Sequence, residues 1–488
     1  MSIGNDRRGI SKGNFQLLDE SQLELIHQAS LEILNDIGVV VKSKKALDVL
    51  EGAGCRVNRA EERVFVSDTI VKKALETVPH KIVLYARKPE NNVVLDGRRM
   101  FVISGASALN VIDLEGNKRS PTMQDLYNFI RLHDSLRSVD IICPMVYPAN
   151  IEAEKAETVM SGMVMKYSTK HCQFWAQDGT GVDSHFKMAV AIYGNEKDAR
   201  QKPLFGECID LISPLLQPPD MVEALMKGAE LSVPLYIETC AVMGATSPVT
   251  LAGTVAQSNV NVLCGLVLAQ LINPGTPCIY STASGVMDMT SGNYSSAAPE
   301  TNLVQVATAQ LAHFYGLPCN AGCGIDAKIV DEQGAYERTF QNTVCTLGGV
   351  DIIHQAVGSV EMMNTASYEQ CVLDDEVFQA VSRFTRPVEI TKETIALEAI
   401  GRVNSGGRHY FMDDHTLNFV RKDFWKPNIL DRNSYAVWDS SGRKSFKQRA
   451  KERVENILKN HFPEPVSSEV GREIDRIAGI DSSQYREK

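Results

Sequence analysis

Residues 317–338, LPCNAGCGIDAKIVDEQGAYER, decide how the chain is read. The segment begins as a short apolar run, opens into a turn at Gly322 and Gly324, and then presents Asp326, Lys328, Asp331 and Glu332. A helical pattern follows from about Glu332. Strand, polar turn, helix is one βα unit. In a series of such units, function sits in the turns that follow the strands.

Outward from this unit the same rhythm recurs. Strand-like runs lie at 101–108, 140–147, 171–177, 203–211, 234–243, 277–285, 317–325 and 351–360. Helical patterns lie between them at 122–136, 152–168, 182–195, 219–231, 249–272, 299–315 and 332–347. The runs lack the period-2 polarity of an exposed antiparallel strand, as expected for parallel strands covered by helices. This is an α/β pattern, and its eight units predict a (β/α)8 TIM barrel over 99–365. A doubly wound open sheet competes, but no G-x-G-x-x-G follows an early strand. Residues 1–98 read as an N-terminal α+β lead-in that packs on, or plugs, one end of the barrel. It holds helices at 21–36, 44–52 and 67–78, then an extended pair at 81–86 and 93–95. Residues 366–488 read as a C-terminal helical extension, with helices at 369–384, 390–403 and 444–460.

The 488 residues carry a formal net charge of -10, which argues against nucleic acid or an anionic membrane as the main partner. Eleven cysteines are scattered, mostly in apolar runs such as those around Cys143 and Cys264. The polar segment MSIGNDRRGISKGNFQ has no apolar core of a signal peptide, so reduced thiols in a cytoplasm are expected. Residues 251–272 come closest to a membrane span, but Gln257, Asn259, Asn261 and Gln270 read as those of a buried core helix.

Several longer motifs resemble a known family. They are ILNDIGVVV (33–41), MGATSPVTLAG (243–253), AGCGIDAKIVDEQGAYER (321–338), GSVEMMNTASYEQCVLDDE (358–376) and HTLNFVRKDFWKPNILDRNSYAVW (415–438). Together they are similar to the trimethylamine methyltransferase superfamily, in its branch without pyrrolysine. The resemblance implies a TIM barrel. Founding members carry pyrrolysine in the region corresponding to 326–331, where this chain has ordinary residues. The branch implies demethylation of a quaternary amine such as glycine betaine, proline betaine or carnitine. The methyl would pass to cob(I)alamin carried by a separate corrinoid protein. Related barrels often associate, which leaves a homo-oligomer open.

That chemistry directs attention to aromatic rings and carboxylates near strand ends, because a trimethylammonium group has no N–H to donate. Trp175 ends the third strand beside Phe174, Tyr147 ends the second, and Phe205 lies in the fourth. Trp175 or Phe174, with Tyr147, is the expected cation cage; the competing reading is that the rings fill a layered core. Glu207 and Glu238 lie inside apolar strands, where a carboxylate is costly unless it is paired or functional. Substrate contact and an internal ion pair are both open. His354 and Gln355 in the eighth strand are candidate catalytic residues; His171, at the opposite end of the third, reads as structural. Lys328, Arg338, Arg408 and His409 could clamp a betaine carboxylate, and Asp326 could line the site.

The glycine-rich turns at 104–107, 244–247, 284–285 and 322–324 are expected to form a shallow mouth that admits a corrin ring. No D-x-H-x-x-G motif is present, so the cobalamin should arrive on the partner. No directly bound metal is expected. His171–Cys172 or Cys319 with Cys323 could be proposed as zinc ligands, but the spacing of a complete site is missing. The rivals are therefore a zinc-dependent corrinoid methyltransferase and a non-catalytic betaine- or corrinoid-binding protein.

Overall fold

The computed structural model describes residues 8–485 apart from 106, 323, 407 and 408. Eight short strands run parallel: β1 Arg99–Val102, β2 Ile141–Ile142, β3 His171–Phe174, β4 Phe205–Leu211, β5 Leu235–Thr239, β6 Cys278–Thr282, β7 Cys319–Ala321 and β8 Ile352–Ile353. They lie in one curled sheet in the order β1-β8-β7-β6-β5-β4-β3-β2, with Ile10–Ser11 added antiparallel on the edge of β1. The far ends of that order also meet. Ile103 and Ile141 form a parallel bridge, with Asp140 N–H donating to the Val102 carbonyl (2.9 Å) and Ser104 N–H to that of Ile141 (3.1 Å).

Each strand leads into a helix: α1 Met123–Ser135, α2 Ala153–Tyr167, α3 Gly179–Tyr193, α4 Pro219–Glu230, α5 Leu251–Ile272, α6 Pro299–Phe314, α7 Glu332–Leu347 and α8 Tyr368–Thr385. Local chemistry starts several of them. Asp178 accepts from the N–H groups of Thr180 and Gly181, and Asp331 accepts from Gly334 N–H. Thr122 and Asp125 form a capping box on α1. Each arrangement satisfies backbone donors that a helix start leaves open. Helix α5 is long and apolar enough to cross a membrane, but 83% of its most apolar window is buried inside the protein. It is a core helix.

Side chains alternate across each parallel strand, and the two faces differ. One face packs under the helices. The other turns inward, where Phe101, Ile103, Ile141, Cys143, Cys208, Tyr236, Ile279 and Ile352 cluster. The hairpin of Ile82–Leu84 with Val93–Leu95 puts Ile82, Leu84, Val93 and Leu95 into that same cluster. It closes the strands' N-terminal end. Gly206 makes the interior fit: a Cβ there would lie 2.6 Å from the Tyr236 ring and 3.0 Å from the Pro234 carbonyl oxygen.

Three local readings differ from the sequence expectation. The first helix is capped by Asp19, not started at Ser21, and runs Glu20–Glu32 before widening into a π-helical turn at Ile33–Ile37. The helix expected at 390–403 is two, Lys392–Ile395 and Leu397–Gly406, broken where Ala396 adopts φ 57. A small sheet formed by Asn110–Ile112, Lys118–Arg119, Ser359–Val360 and Thr365–Ser367 was not anticipated. Its strands are only two or three residues long, too short for a periodic signal.

Replacing Gly206 by Ala should destabilise the fold by about 1–3 kcal/mol, because the Tyr236 ring has to move. Denaturant unfolding measures this; an unchanged midpoint would contradict the packing of β4 against Tyr236.

Candidate functional site

Register places four polar side chains at one height inside the sheet. Asp210 on β4 is opposite Glu238 on β5, Glu238 is opposite Ser281 on β6, and Ser281 is opposite Asn320 on β7. His354 completes the row just beyond β8. Its Nδ1–H faces the Glu238 carboxylate at 3.1 Å, and its Nε2–H donates to the Gly322 carbonyl (2.8 Å). The Asn320 amide lies 2.9 Å from His354 Nδ1, 3.3 Å from Ser281 Oγ and 3.4 Å from a Glu238 oxygen. Each ring nitrogen has an acceptor beside it, Glu238 at Nδ1 and the Gly322 carbonyl at Nε2, while the Asn320 amide nitrogen also faces Nδ1. Burial pulls the His354 pKa down, but the Glu238 charge, the hydrogen bonds and Asp210 more than reverse it, leaving it raised.

Asp210 is the exposed member of the row, and Cys240, two residues beyond Glu238, is exposed as well. The interior is therefore open at this height. Desolvation by the surrounding sheet, then the neighbouring Glu238 charge, push the Asp210 carboxyl up to about 7. Trp175 follows β3 and is half-buried against the inward cluster, within reach of the Cys208 thiol on β4. The carboxylate pair and the indole thus lie near the C-terminal ends of the neighbouring strands β3, β4 and β5.

Among the described residues, Cys208, Asp210 and Glu238 also form a group whose potential ligand atoms lie within 4.8 Å of one another. Burial, followed by the charges of Asp210 and Glu238, drives the Cys208 thiol well above its usual range. The two carboxylates of this group give the inward face its negative character. The zinc alternatives weighed above do not converge. His171 Nδ1 is taken by the Tyr85 carbonyl at 2.6 Å, while Cys172 and Cys319 belong to the core under the helices. Cys323 lies outside the described residues.

The other expected site residues separate into distinct places. Phe174, Phe205 and Glu207 occupy the outward face and surround His185 of α3, with ring centroids 4.8 and 5.7 Å from the imidazole and Glu207 Oε1 2.6 Å from Nδ1. Tyr147 donates to the Ala153 carbonyl (3.3 Å) at the start of α2. Asp326 accepts from Ser295 Oγ (2.6 Å) and Ser296 N–H (2.7 Å), tying the β7–α7 loop to the β6–α6 loop. Lys328 is exposed on that loop and donates to the Asp326 carbonyl (2.7 Å). Arg338 is fully buried beside Asp374 (3.2 Å) and is not a surface clamp. Arg408 lies outside the described residues, and His409 is exposed. Gln355, next to His354, holds a left-handed backbone (φ 53) and leaves its buried Oε1 without a partner. Such strain in a non-glycine residue often accompanies a functional position.

The glycine turns do not form an open cradle. A Cβ at Gly105, Gly244, Gly285 or Gly324 would come within 3 Å of the chain's own side chains, and at Gly322 within 2.7 Å of the His354 carbonyl oxygen. They close the loops upon one another. Asp210, Ser281, Asn320 and Cys208 were not anticipated. The missing information was strand parity: a one-residue shift exchanges the inner and outer faces, and apolar residues lie on both.

Because the Asp210 carboxyl titrates near 7 in the folded chain and near 4 when unfolded, its ionisation opposes folding increasingly between those values. Asp210→Asn should therefore raise the melting temperature at pH 8, and the gain should shrink towards pH 4. Scanning calorimetry across this range checks it; a gain independent of pH would contradict the assigned environment.

The profile of the family described as trimethylamine methyltransferase (MTTB) matches residues 5–478. The chain is 32% identical over 458 residues to a glycine betaine methyltransferase of Desulfitobacterium hafniense, covering 93% of this chain and 95% of the relative. It is 30% identical over 477 residues to the trimethylamine methyltransferase MttB of Methanosarcina barkeri, covering 96% of each. The solved monomethylamine methyltransferase MtmB of Methanosarcina barkeri aligns with a TM-score of 0.47 at 13% identity, covering 93% of this chain and 96% of that one. With nearly its whole length matched, the chain belongs to the trimethylamine methyltransferase family and is a methyltransferase.

Proposed function

We propose that the protein removes one N-methyl group from a quaternary amine, glycine betaine first, and delivers it to cob(I)alamin on a separate corrinoid protein. The observation that carries this reading is the open Asp210–Glu238 carboxylate pair beside Trp175. A quaternary ammonium fits such a site: it is cationic at every pH and is held by carboxylates and an aromatic face. Its leaving group is a neutral tertiary amine, so the displacement needs no proton and no side-chain nucleophile. The corrinoid supplies the cobalt nucleophile that accepts the methyl.

The chain's own residues bind and orient. Glu238, braced by His354 and Asn320, provides a fixed negative charge. Asp210 adds a second when ionised, and Trp175 offers a ring face. Positioning one methyl outward along the open axis is then the main catalytic contribution. Lys328, the exposed cation on the β7–α7 loop, is the described candidate for the betaine carboxylate. Proline betaine and carnitine share the head group and remain alternatives.

The loops after β1, β4, β5, β6 and β7 each expose a large apolar side chain: Leu109, Ile212, Val249, Met289 and Ile329. An apolar rim around the mouth suits a docking protein that presents a flat macrocycle. A closed (β/α)8 barrel agrees with the Ile103–Ile141 bridge, and a cytoplasmic location with ten free cysteines among the described residues. The opposite pole suits a second copy of this chain. There the last turn of α8 and the arm after it leave Phe384, Val388, Phe424 and, at 90%, Phe411 exposed, with the arm's base near Asp140 and Lys170 at the strands' N-terminal ends.

Purified protein, glycine betaine and cob(I)alamin should yield dimethylglycine, and a panel of quaternary amines should rank the substrates. No dimethylglycine would refute the substrate, and activity lost to a zinc chelator would favour the zinc rival. Trp175→Ala should raise KM about tenfold, the scale of a cation–π contact. Affinity for betaine, followed by calorimetry, should rise as pH increases through about 7, and Asp210→Asn should abolish that rise. Sedimentation should find a dimer or larger assembly that Phe411→Glu weakens; a monomer at all concentrations would overturn the self-association.

A further inference from the structure

His185 lies on α3 with no exposed surface, between two carboxylates. Its Nδ1–H donates to Glu207 Oε1 on β4 (2.6 Å), and its Nε2 lies 3.0 Å from Glu157 Oε1 on α2. Each carboxylate keeps a second oxygen, and both are used on the same stretch of backbone. Ala176 N–H donates to Glu207 Oε2 (3.2 Å), and Gln177 N–H donates to Glu157 Oε2 (3.1 Å). Those are the two residues that follow Trp175. Gly181 leaves room for the arrangement, since a Cβ there would stand 2.7 Å from Glu157 Oε1. Phe174 and Phe205 flank the imidazole and shield it from water.

We propose that Glu157, His185 and Glu207 form a positioning clamp that holds the Ala176–Gln177 backbone and thereby sets the Trp175 ring against the substrate cation. This rests on the reading of Trp175 as part of the cation site. The clamp works from behind the sheet: none of its three side chains touches the hollow, so all three are positioning residues. One imidazolium joins two carboxylates that would otherwise repel each other, and each carboxylate then anchors one peptide N–H. Loss of the imidazolium proton releases one carboxylate, and with it one of the two anchors behind Trp175.

Burial acts against protonation of His185, but the Glu207 and Glu157 charges and hydrogen bonds outweigh it and raise its pKa to about 9. Among the described residues the titratable groups facing it are Glu157 from α2 and Glu207 from β4; the β3 and β4 rings are uncharged. The clamp is therefore complete at neutral pH and lost as pH rises through about 9.

The test uses the full chain with Trp425 and Trp438 replaced by Phe, leaving Trp175 as the sole indole reporter. In that background His185→Gln should shift Trp175 emission to longer wavelength and increase its quenching by acrylamide. It should also raise KM for glycine betaine about tenfold, the scale of a lost cation–π contact, with kcat within about threefold, the signature of lost ground-state binding. The unsubstituted clamp should show the same emission change when pH is raised through about 9. Should His185→Gln fail to fold, Glu157→Gln, at the clamp's more accessible end, and the pH titration decide the question. Emission, quenching and KM unchanged in a folded clamp variant, or no emission transition near pH 9, would overturn the clamp. An emission shift in a protein that turns over no quaternary amine would leave the clamp standing and remove the substrate reading instead.

Discussion

Two carboxylates at neighbouring positions inside a curled sheet impose the constraint from which the site follows. Glu238 and Asp210 stand opposite each other on adjacent parallel strands, where like charges raise each other's energy and the protein supplies few counter-charges. His354 answers one of them, through 3.1 Å to Glu238. Among the described residues no cation lies as close to Asp210, whose carboxyl is pushed up to about 7 by desolvation from the surrounding sheet and by Glu238. An interior of this kind is poised to receive a positive charge from outside. The residues around it contribute by fixing Glu238 in place, through Asn320, Ser281 and the Gly322 carbonyl that orients the histidine.

The same strands carry a second charged cluster on their other face, and comparison of the two clarifies what each is for. Glu157, His185 and Glu207 turn towards one another and the backbone: Glu207 faces the imidazole and Ala176 N–H, and Glu157 faces Gln177 N–H with its other oxygen 3.0 Å from Nε2, a charge contact not aligned as a hydrogen bond. Such a cluster is committed to its own partners and serves shape. The Asp210–Glu238 pair is open, with Asp210 exposed. Exposure, more than the presence of charge, separates scaffold from site in this molecule.

Much of the architecture was legible because it depends on periodicity. The alternation of apolar runs with amphipathic stretches is repeated in eight βα units, and the polar residues of 251–272 marked α5 as a core helix. Glu238 stood out as a carboxylate in an apolar strand, Trp175 as a ring at a strand end and His354 as a lone histidine in an apolar strand; His354 Nδ1 lies 3.1 Å from Glu238. Glu207 stood out for the same reason as Glu238 and went to the other face. Strand β4 carries Glu207 and Asp210 three positions apart, which puts them on opposite sides of the sheet. Hydrophobicity could not choose between the sides, since helices cover one face and an apolar layer fills much of the other. The glycine turns misled in another way. Glycine marks close backbone approach, but the sequence does not say whether a ligand or the chain itself approaches.

Strand parity also bears on how a family with one scaffold accommodates donors of different reactivity. A tertiary amine must expel a poor leaving group and needs activation, whereas a quaternary ammonium departs as a neutral amine. The scaffold's constant task is then to present a methyl group at the open end of the strands, and the variable task is activation. In this chain the inward positions of β4 to β7 hold charge and hydrogen-bonding groups braced against one another, with Glu238 already engaged by His354 and Asn320. That favours a donor whose activation lies in its own permanent charge. The inward residues of consecutive strands, read at one height, are where members of the family that act on different amines should diverge, while the Glu157–His185–Glu207 cluster on the outer face of β3 and β4 should vary less.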